Sequence, residues 1–152
     1  MAISAPAAAA MESSAPLGAL DATAAALWTA LLAMQAVADA QQFCFQSEKY
    51  RRRAERIPPG PEYEAGFLSR GLWAYSRHPN YFCEVALWWV FYLFSVPATG
   101  AWLNWTGLGA AGLTLLFVPP GASVDVTEAI SSRKYPAYPD YQARVSRFVP
   151  WF

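Results

Sequence analysis

The sequence predicts an all-α, multi-pass membrane helix bundle, with about three transmembrane helices and a cytosolic amphipathic segment at the C-terminus. Three observations carry that reading. Hydrophobic residues make up 55% of the 152 positions and charged residues 14%, where an average soluble chain carries about 25% charge. Three apolar stretches, 22–38, 79–96 and 98–118, are separated by segments rich in Pro, Gly and charge. All eleven Lys and Arg fall in two blocks, 49–77 and 133–147, with none before 49 and none between 78 and 132. That asymmetry is the positive-inside pattern of a membrane protein.

The elements follow in order. Residues 1–19 are mostly Ala, Ser and Pro with one Glu, and read as a disordered tail. Residues 20–152 read as a single membrane domain. Its first helix, 22–38, is uncharged and can extend towards Phe45, long enough to span a bilayer. Gln35, Asp39, Gln42 and Gln46 recur at helical spacing and form a polar stripe on one face of it. Such a stripe faces the protein interior or a wet cavity, or else marks the point where the helix surfaces. Residues 47–70, basic and broken by Pro58, Pro59, Gly60 and Pro61, read as a cytosolic loop whose Arg51–Arg53 run is a solvated flank suited to anionic lipid, with an extra phosphate of a ligand as the alternative partner. The second helix spans 79–96 and is ended or kinked by Pro97. The third spans 98–118, with Gly107, Gly109 and Gly112 permitting close packing. The closing segment places Tyr138, Tyr141, Val145 and Phe148 on one side of a short helical pattern that lies in the interface or caps the bundle. Glu128 and Arg147 are placed to form a surface pair. The N-terminus is then lumenal or outer, and both basic blocks face the cytosol.

Composition also excludes classes. A net charge of zero gives no basic surface for nucleic acid. Two cysteines, Cys44 and Cys83, make neither a disulfide framework nor a zinc site, so no metal is expected.

The chemistry concentrates in Gly71–Glu84, GLWAYSRHPNYFCE. Pro79 fits the first turn of a helix and disfavours α conformation at His78, so the helix begins at Pro79. The first N–H groups of that helix form an anion site with the helix dipole, and Arg77 and His78 lie on its rim. Asn80 and Glu84, four residues apart, share one face. Each has a plain alternative: Arg77 as a membrane-flank cation, His78 as a loop histidine, Asn80 as a cap, Glu84 as a solvated acid. Together they suit a ligand bearing phosphate or carboxylate, and an ionisable group inside a membrane segment is a functional candidate.

At these residues the chain resembles the C-terminal part of the steroid 5-alpha-reductase superfamily, in its DUF1295 branch. ADAQQFCF at Ala38–Phe45 is similar to that branch's A-D-x-Q-x-x-x-F, GLWAYSRHPNYFCE to its central motif, and TEAISSRKYPAYPDYQARVSRFVPWF to its closing segment. The resemblance implies a membrane oxidoreductase using NADPH on a carbon–carbon double bond of a lipid-like substrate, in a membrane such as the endoplasmic reticulum. It implies that Asn80 and Glu84 meet the nicotinamide end. Asp39, with Gln35, would hold the cofactor from the preceding helix, and Glu128 and Tyr135 would lie near the adenosine half. Arg77 and His78 complete the expected cofactor-binding set. Cys83 stands where the family usually has Gly. The family also has further helices lining the substrate pocket; their absence from this sequence reads as a truncated chain or a cofactor-site remnant, or as helices that another chain supplies. A second family is similar in its R-H-P-x-Y segment and ending: the isoprenylcysteine carboxyl methyltransferases, which take S-adenosylmethionine. A third reading is a non-catalytic membrane protein that binds lipid or a partner helix.

Overall fold

The computed structural model describes residues 3–151, which leaves 1, 2 and 152 outside the described part of the chain. The described residues form helices α1 (Ala5–Glu12), α2 (Ala19–Ala54), α3 (Pro61–Glu64), α4 (Pro79–Leu93), α5 (Ser95–Thr99), α6 (Leu108–Phe117), α7 (Ser123–Lys134) and α8 (Tyr138–Arg144). Short 3-10 turns occupy Gly71–Ala74 and Trp105–Gly107.

Helix α2 is the backbone of the fold. Asp21 in its first turn accepts a hydrogen bond from the Gly18 N–H at 2.8 Å, satisfying a free donor at the helix start. The helix runs 36 residues, well beyond the expected limit near Phe45. Residues 47–54, expected as loop, are its last turns. Arg51 bonds Glu48 at 2.8 Å and Glu55 at 2.7 Å, and Arg52 bonds Glu48 at 2.7 Å. These pairs sit three and four residues apart, where helix geometry brings side chains together. The basic last turn also complements the helix dipole. The helix stops where Arg56 takes a positive φ of 55° and Pro58–Pro59 follow.

Helix α4 begins at Pro79 with His78 as its N-cap, as the sequence requires. It ends at Leu93. Pro97 acts four residues downstream of that point, because its ring clashes with the carbonyl of residue i−4. The chain resumes as α5 and closes on Gly100, whose φ of 67° is left-handed.

The third expected span is corrected. Instead of one helix over 98–118, the chain makes a loop, a 3-10 turn and a helix α6 of 10 residues. Asn104 is the reason. Its side-chain oxygen accepts from the Thr106 N–H at 3.1 Å, and its amide donates to Ala101 O at 3.0 Å and Thr99 Oγ1 at 3.1 Å. A residue so engaged starts a helix rather than sitting inside one. Two helices, Ala19–Ala54 and Pro79–Thr99, are therefore long and apolar enough to cross a membrane among the described residues. At 1.5 Å per residue, α6 reaches only about 15 Å, half of a hydrocarbon core.

The expected disordered tail is also corrected in part, since residues 5–12 are helical. Ala5 and Pro6 are buried, and α1 packs against α5 and the Trp105–Gly107 turn. A small Ala-rich helix can lie close to its neighbours without side-chain entropy cost.

α2 and α4 are antiparallel. Gln35 meets Glu84 and Asp39 meets Asn80, so numbers rise on one helix as they fall on the other. Helices α7 and α8 then bring the chain back to the start of α4. Tyr138 and Tyr141 are buried there against Phe67, with ring centroids 5.1 and 5.2 Å away. The closing segment therefore caps the bundle, as one of its two expected placements has it. Val145–Phe148 is not helical, and Ser146 bridges to Ser76 in extended form.

Candidate functional site

Two polar clusters meet at the head of α4. The first lies along the α2–α4 contact. The Gln35 amide donates to Glu84 Oε2 at 2.8 Å, and Trp88 Nε1 donates to Glu84 Oε1 at 3.0 Å. One helical turn nearer the start of α4, Asn80 Nδ2 donates to Asp39 Oδ1 at 3.0 Å. Spacing sets the faces, since 35 and 39 share a face of α2 and 80 and 84 share a face of α4, and the antiparallel packing of the two helices sets the pairs. Gln35, Asp39 and Glu84 form the polar side of a cleft of about 630 Å³ whose apolar walls include Trp28, Leu32, Leu87 and Phe91. A carboxylate with two fixed donors thus lies beside an apolar groove.

The second cluster is a buried clasp. Arg77 is 8% exposed and Glu128 7%. Arg77 Nε and Nη2 donate to the two Glu128 oxygens at 2.6 and 3.1 Å, a bidentate pair. Arg77 Nη1 donates to the carbonyls of Gln142 and Val145 at 2.7 and 2.6 Å. His78 Nε2 lies 3.1 Å from Glu128 Oε1, and Gln142 Nε2 donates to Glu128 Oε2 at 2.7 Å. Backbone bonds extend the clasp. Arg77 N donates to Ser146 O at 2.8 Å, and Ser76 Oγ donates to Phe148 O at 2.7 Å. Tyr141 donates to Trp73 O at 2.5 Å. Burial pushes the His78 imidazole below its ordinary value, against the pull of Glu128, so it is neutral at pH 7. Burial pushes the Glu128 carboxyl up, but the hydrogen bonds from Arg77 and Gln142 outweigh it and hold the group below the usual carboxylate range.

Four of the five Arg77 donors are therefore used by the protein itself. The carboxylate that meets Arg77 and His78 at the head of α4 is Glu128. The expected Glu128–Arg147 pair does not form: Arg147 bonds Asp125 at 2.5 Å.

Asn80 joins the clusters. It forms part of the first, and with His78 it lines a polar cavity of about 260 Å³ between α2, α4 and α7. Gln42, Tyr138 and Tyr141 line the same cavity. The Gln42 side-chain oxygen is buried there with no hydrogen-bond partner among the described residues. Tyr135 stands apart: its hydroxyl accepts from Lys49 Nζ at 3.0 Å, and its ring lies against Gly66. Burial raises the Tyr135 phenol, but the hydrogen bonds from Lys49 and Lys134 outweigh it and lower it.

The structure thus brings Asp39, Asn80 and Glu84 together, and Arg77, His78 and Glu128 together one layer below. Tyr135 joins neither group. Sequence reasoning missed Gln142, Trp88 and Gln41 as partners. Gln41 accepts from the Leu72 N–H at 3.0 Å and so fixes the start of the central motif. Its place in the A-D-x-Q segment was the available signal. Gln142 carried none, since its partners are distant in the chain. No group of three or more potential metal ligands occurs among the described residues.

A family model described as "Protein of unknown function (DUF1295)" matches residues 1–145. The chain is 35% identical over 139 residues to an uncharacterized protein of Schizosaccharomyces pombe, a match covering 88% of this chain and 40% of that relative. The chain therefore spans about 40% of the length of the curated relative it matches. No solved structure matches.

Proposed function

The chain belongs to the DUF1295 family, and on that premise we propose that it is the cofactor-binding part of a membrane-embedded, NADPH-dependent reductase of lipid-like double bonds. One observation carries the reading: the polar line Gln35–Glu84–Trp88 and Asp39–Asn80 between two helices long and apolar enough to cross a membrane, beside an apolar cleft. Ionisable groups are costly there and are kept where a pathway or ligand uses them.

The donor set fits a nicotinamide carboxamide. Asn80 keeps one amide hydrogen and one oxygen lone pair beyond its bonds to Asp39 and the Tyr81 N–H. The orphaned Gln42 oxygen in the adjoining cavity needs a donor, which a carboxamide N–H supplies. Asp39 orients the Asn80 amide, and Gln35 and Trp88 orient Glu84. Arg77, His78 and Glu128 act as positioning residues that fix the head of α4, and Tyr135 ties the closing segment to Lys49. When bound, the cofactor would supply a hydride to one carbon of a conjugated double bond, with a proton completing the other. The substrate enters from lipid through the apolar cleft. In this reading the Lys- and Arg-rich end faces the cytosol, where a soluble cofactor reaches it.

The test is a thermal-shift titration of the purified protein in detergent with NADPH and, separately, with S-adenosylmethionine. Ligand at one hundred times its Kd stabilises by about 2.7 kcal/mol, an easily read shift. NADPH is expected to raise Tm and the methyl donor is not. A response to the methyl donor alone assigns methyl transfer instead, and a response to neither assigns a non-catalytic membrane role.

A further inference from the structure

A second pocket lies at the basic end of α2, where the helix turns into the Pro58–Pro59 loop. Its volume is about 420 Å³, and all of its charged lining groups are cations: Lys49, Arg52, Arg53 and Arg56. Its remaining walls are apolar or aromatic, from Ile57, the two prolines and Tyr63.

The cations are not equivalent. Arg52 is fixed in place by Glu48 at 2.7 Å, by the carbonyls of Pro58 and Pro59 at 3.3 and 3.4 Å, and by the Tyr63 ring 5.0 Å away. Lys49 is held by Tyr135, Gln46 and the Gly66 carbonyl. The Arg53 and Arg56 guanidiniums have no carboxylate or hydrogen-bond partner among the described residues. Arg56 is also the one described non-glycine residue with a positive φ, 55°. Two unneutralised guanidiniums therefore face a pocket whose framework is already built by others.

Position says what fills it. The most apolar window of α2 is only 6% buried; placed in a bilayer, the helix would leave its sides to lipid and put its basic end at headgroup level. Arg53 lies about four turns from Asp39, roughly 20 Å along the helix axis, clear of the Asn80 cluster. We propose that this pocket holds the phosphate of an anionic phospholipid between Arg53 and Arg56, with the first carbons of its chains against Ile57 and Pro58. Bidentate guanidinium–phosphate contact suits the two free arginines, and the apolar wall suits the glycerol–acyl junction.

The site stands independently of the cofactor reading, and its test separates the two. The purified full chain in detergent is titrated calorimetrically with dioctanoyl phosphatidic acid, with dioctanoyl phosphatidylcholine as the neutral control. Saturable binding of the acidic lipid alone is expected. Arg53→Gln/Arg56→Gln is expected to weaken it about 30-fold, taking about 1 kcal/mol per basic group at an anionic surface. Arg51→Gln removes a cation already paired with Glu48 and Glu55, and is expected to leave affinity within about 3-fold. Arg53→Lys/Arg56→Lys, with unchanged helix content by circular dichroism, keeps the charge and is expected to retain part of the affinity. Equal binding of the neutral lipid, or equal losses in the Arg51 and Arg53/Arg56 variants, overturns the site. Displacement of the lipid by inorganic phosphate or NADPH at comparable concentration overturns the lipid assignment in favour of a soluble phosphate. The Arg53/Arg56 variant keeps the thermal response to NADPH, whereas failure of the cofactor reading abolishes that response in every variant including wild type.

Discussion

Replacing Glu128 by Ala removes the centre of the clasp. Arg77 loses both ends of a bidentate contact, and His78 and Gln142 lose their acceptor. Arg77 is 8% exposed, so its charge is left buried without a counter-ion. Breaking one side of a buried pair costs about 3–5 kcal/mol. A domain of ordinary stability has about 5–15 kcal/mol in total, so the change removes a large share. Unfolding in detergent micelles by guanidinium, followed by far-UV circular dichroism, reads the loss directly. Trypsin supplies a second reading, because Arg144 and Arg147 flank the extended Ser146 segment that the clasp holds and become cleavable when it opens. The double change Arg77→Met/Glu128→Met removes the stranded charge and is expected to recover part of the stability. It does not recover all of it, since the Gln142 and Val145 carbonyls lose their donor. A Glu128→Ala loss under about 1 kcal/mol, the range of a surface pair, with no new cleavage, contradicts a buried clasp.

Acid is expected to destabilise the protein. The folded values of His78 and Glu128 are both depressed, so the unfolded chain binds more protons and stability falls as pH falls. The histidine part is lost below its ordinary 6.5 and the glutamate part below 4.5. A Tm that rises between pH 7 and 5.5 contradicts a neutral buried imidazole, and His78→Gln is expected to flatten the upper part of the profile. Glu84→Ala is expected to weaken NADPH binding about 10-fold or more, as loss of a charged hydrogen-bonding group does, and Arg52→Ala to change it less than 3-fold. Equal effects in a fluorescence titration mean that Glu84 has another role. Gly71→Ala puts a methyl 2.5 Å from the Gln41 side-chain oxygen at a φ of +62°. The left-handed backbone and the crowding together cost about 2–3 kcal/mol. An unchanged midpoint in chemical unfolding shows that Gln41 can move aside freely.

The start of α4 was legible because Pro79 restricts two residues at once, and the shared faces of Gln35 with Asp39 and of Asn80 with Glu84 because both helices repeat every 3.6 residues; which residue meets which across the two helices was not. The length of α2 was not. Its basic turns look like loop by composition, and only the Glu48–Arg51–Arg52 spacing marks them as helix. The third span failed because Asn104 bonds its own neighbourhood, a local choice that hydropathy does not register. The partner of Arg77 lies 51 residues away, and no periodicity connects residues across a fold. Glu128 was singled out from its family position, but its contact with Arg77 was not.

The order of synthesis gives the clasp a consequence in time. Helices α2 and α4 leave the ribosome first, and Arg77 and His78 wait at the head of α4 until Glu128 and then residues 142–148 emerge. During that interval a guanidinium in need of an anion stands unpaired at the head of α4. The head of α4 is thus completed late, by Glu128 and residues 142–148, and a nascent protein stalled short of Glu128 carries an open, cationic helix start that water or lipid phosphate must cover.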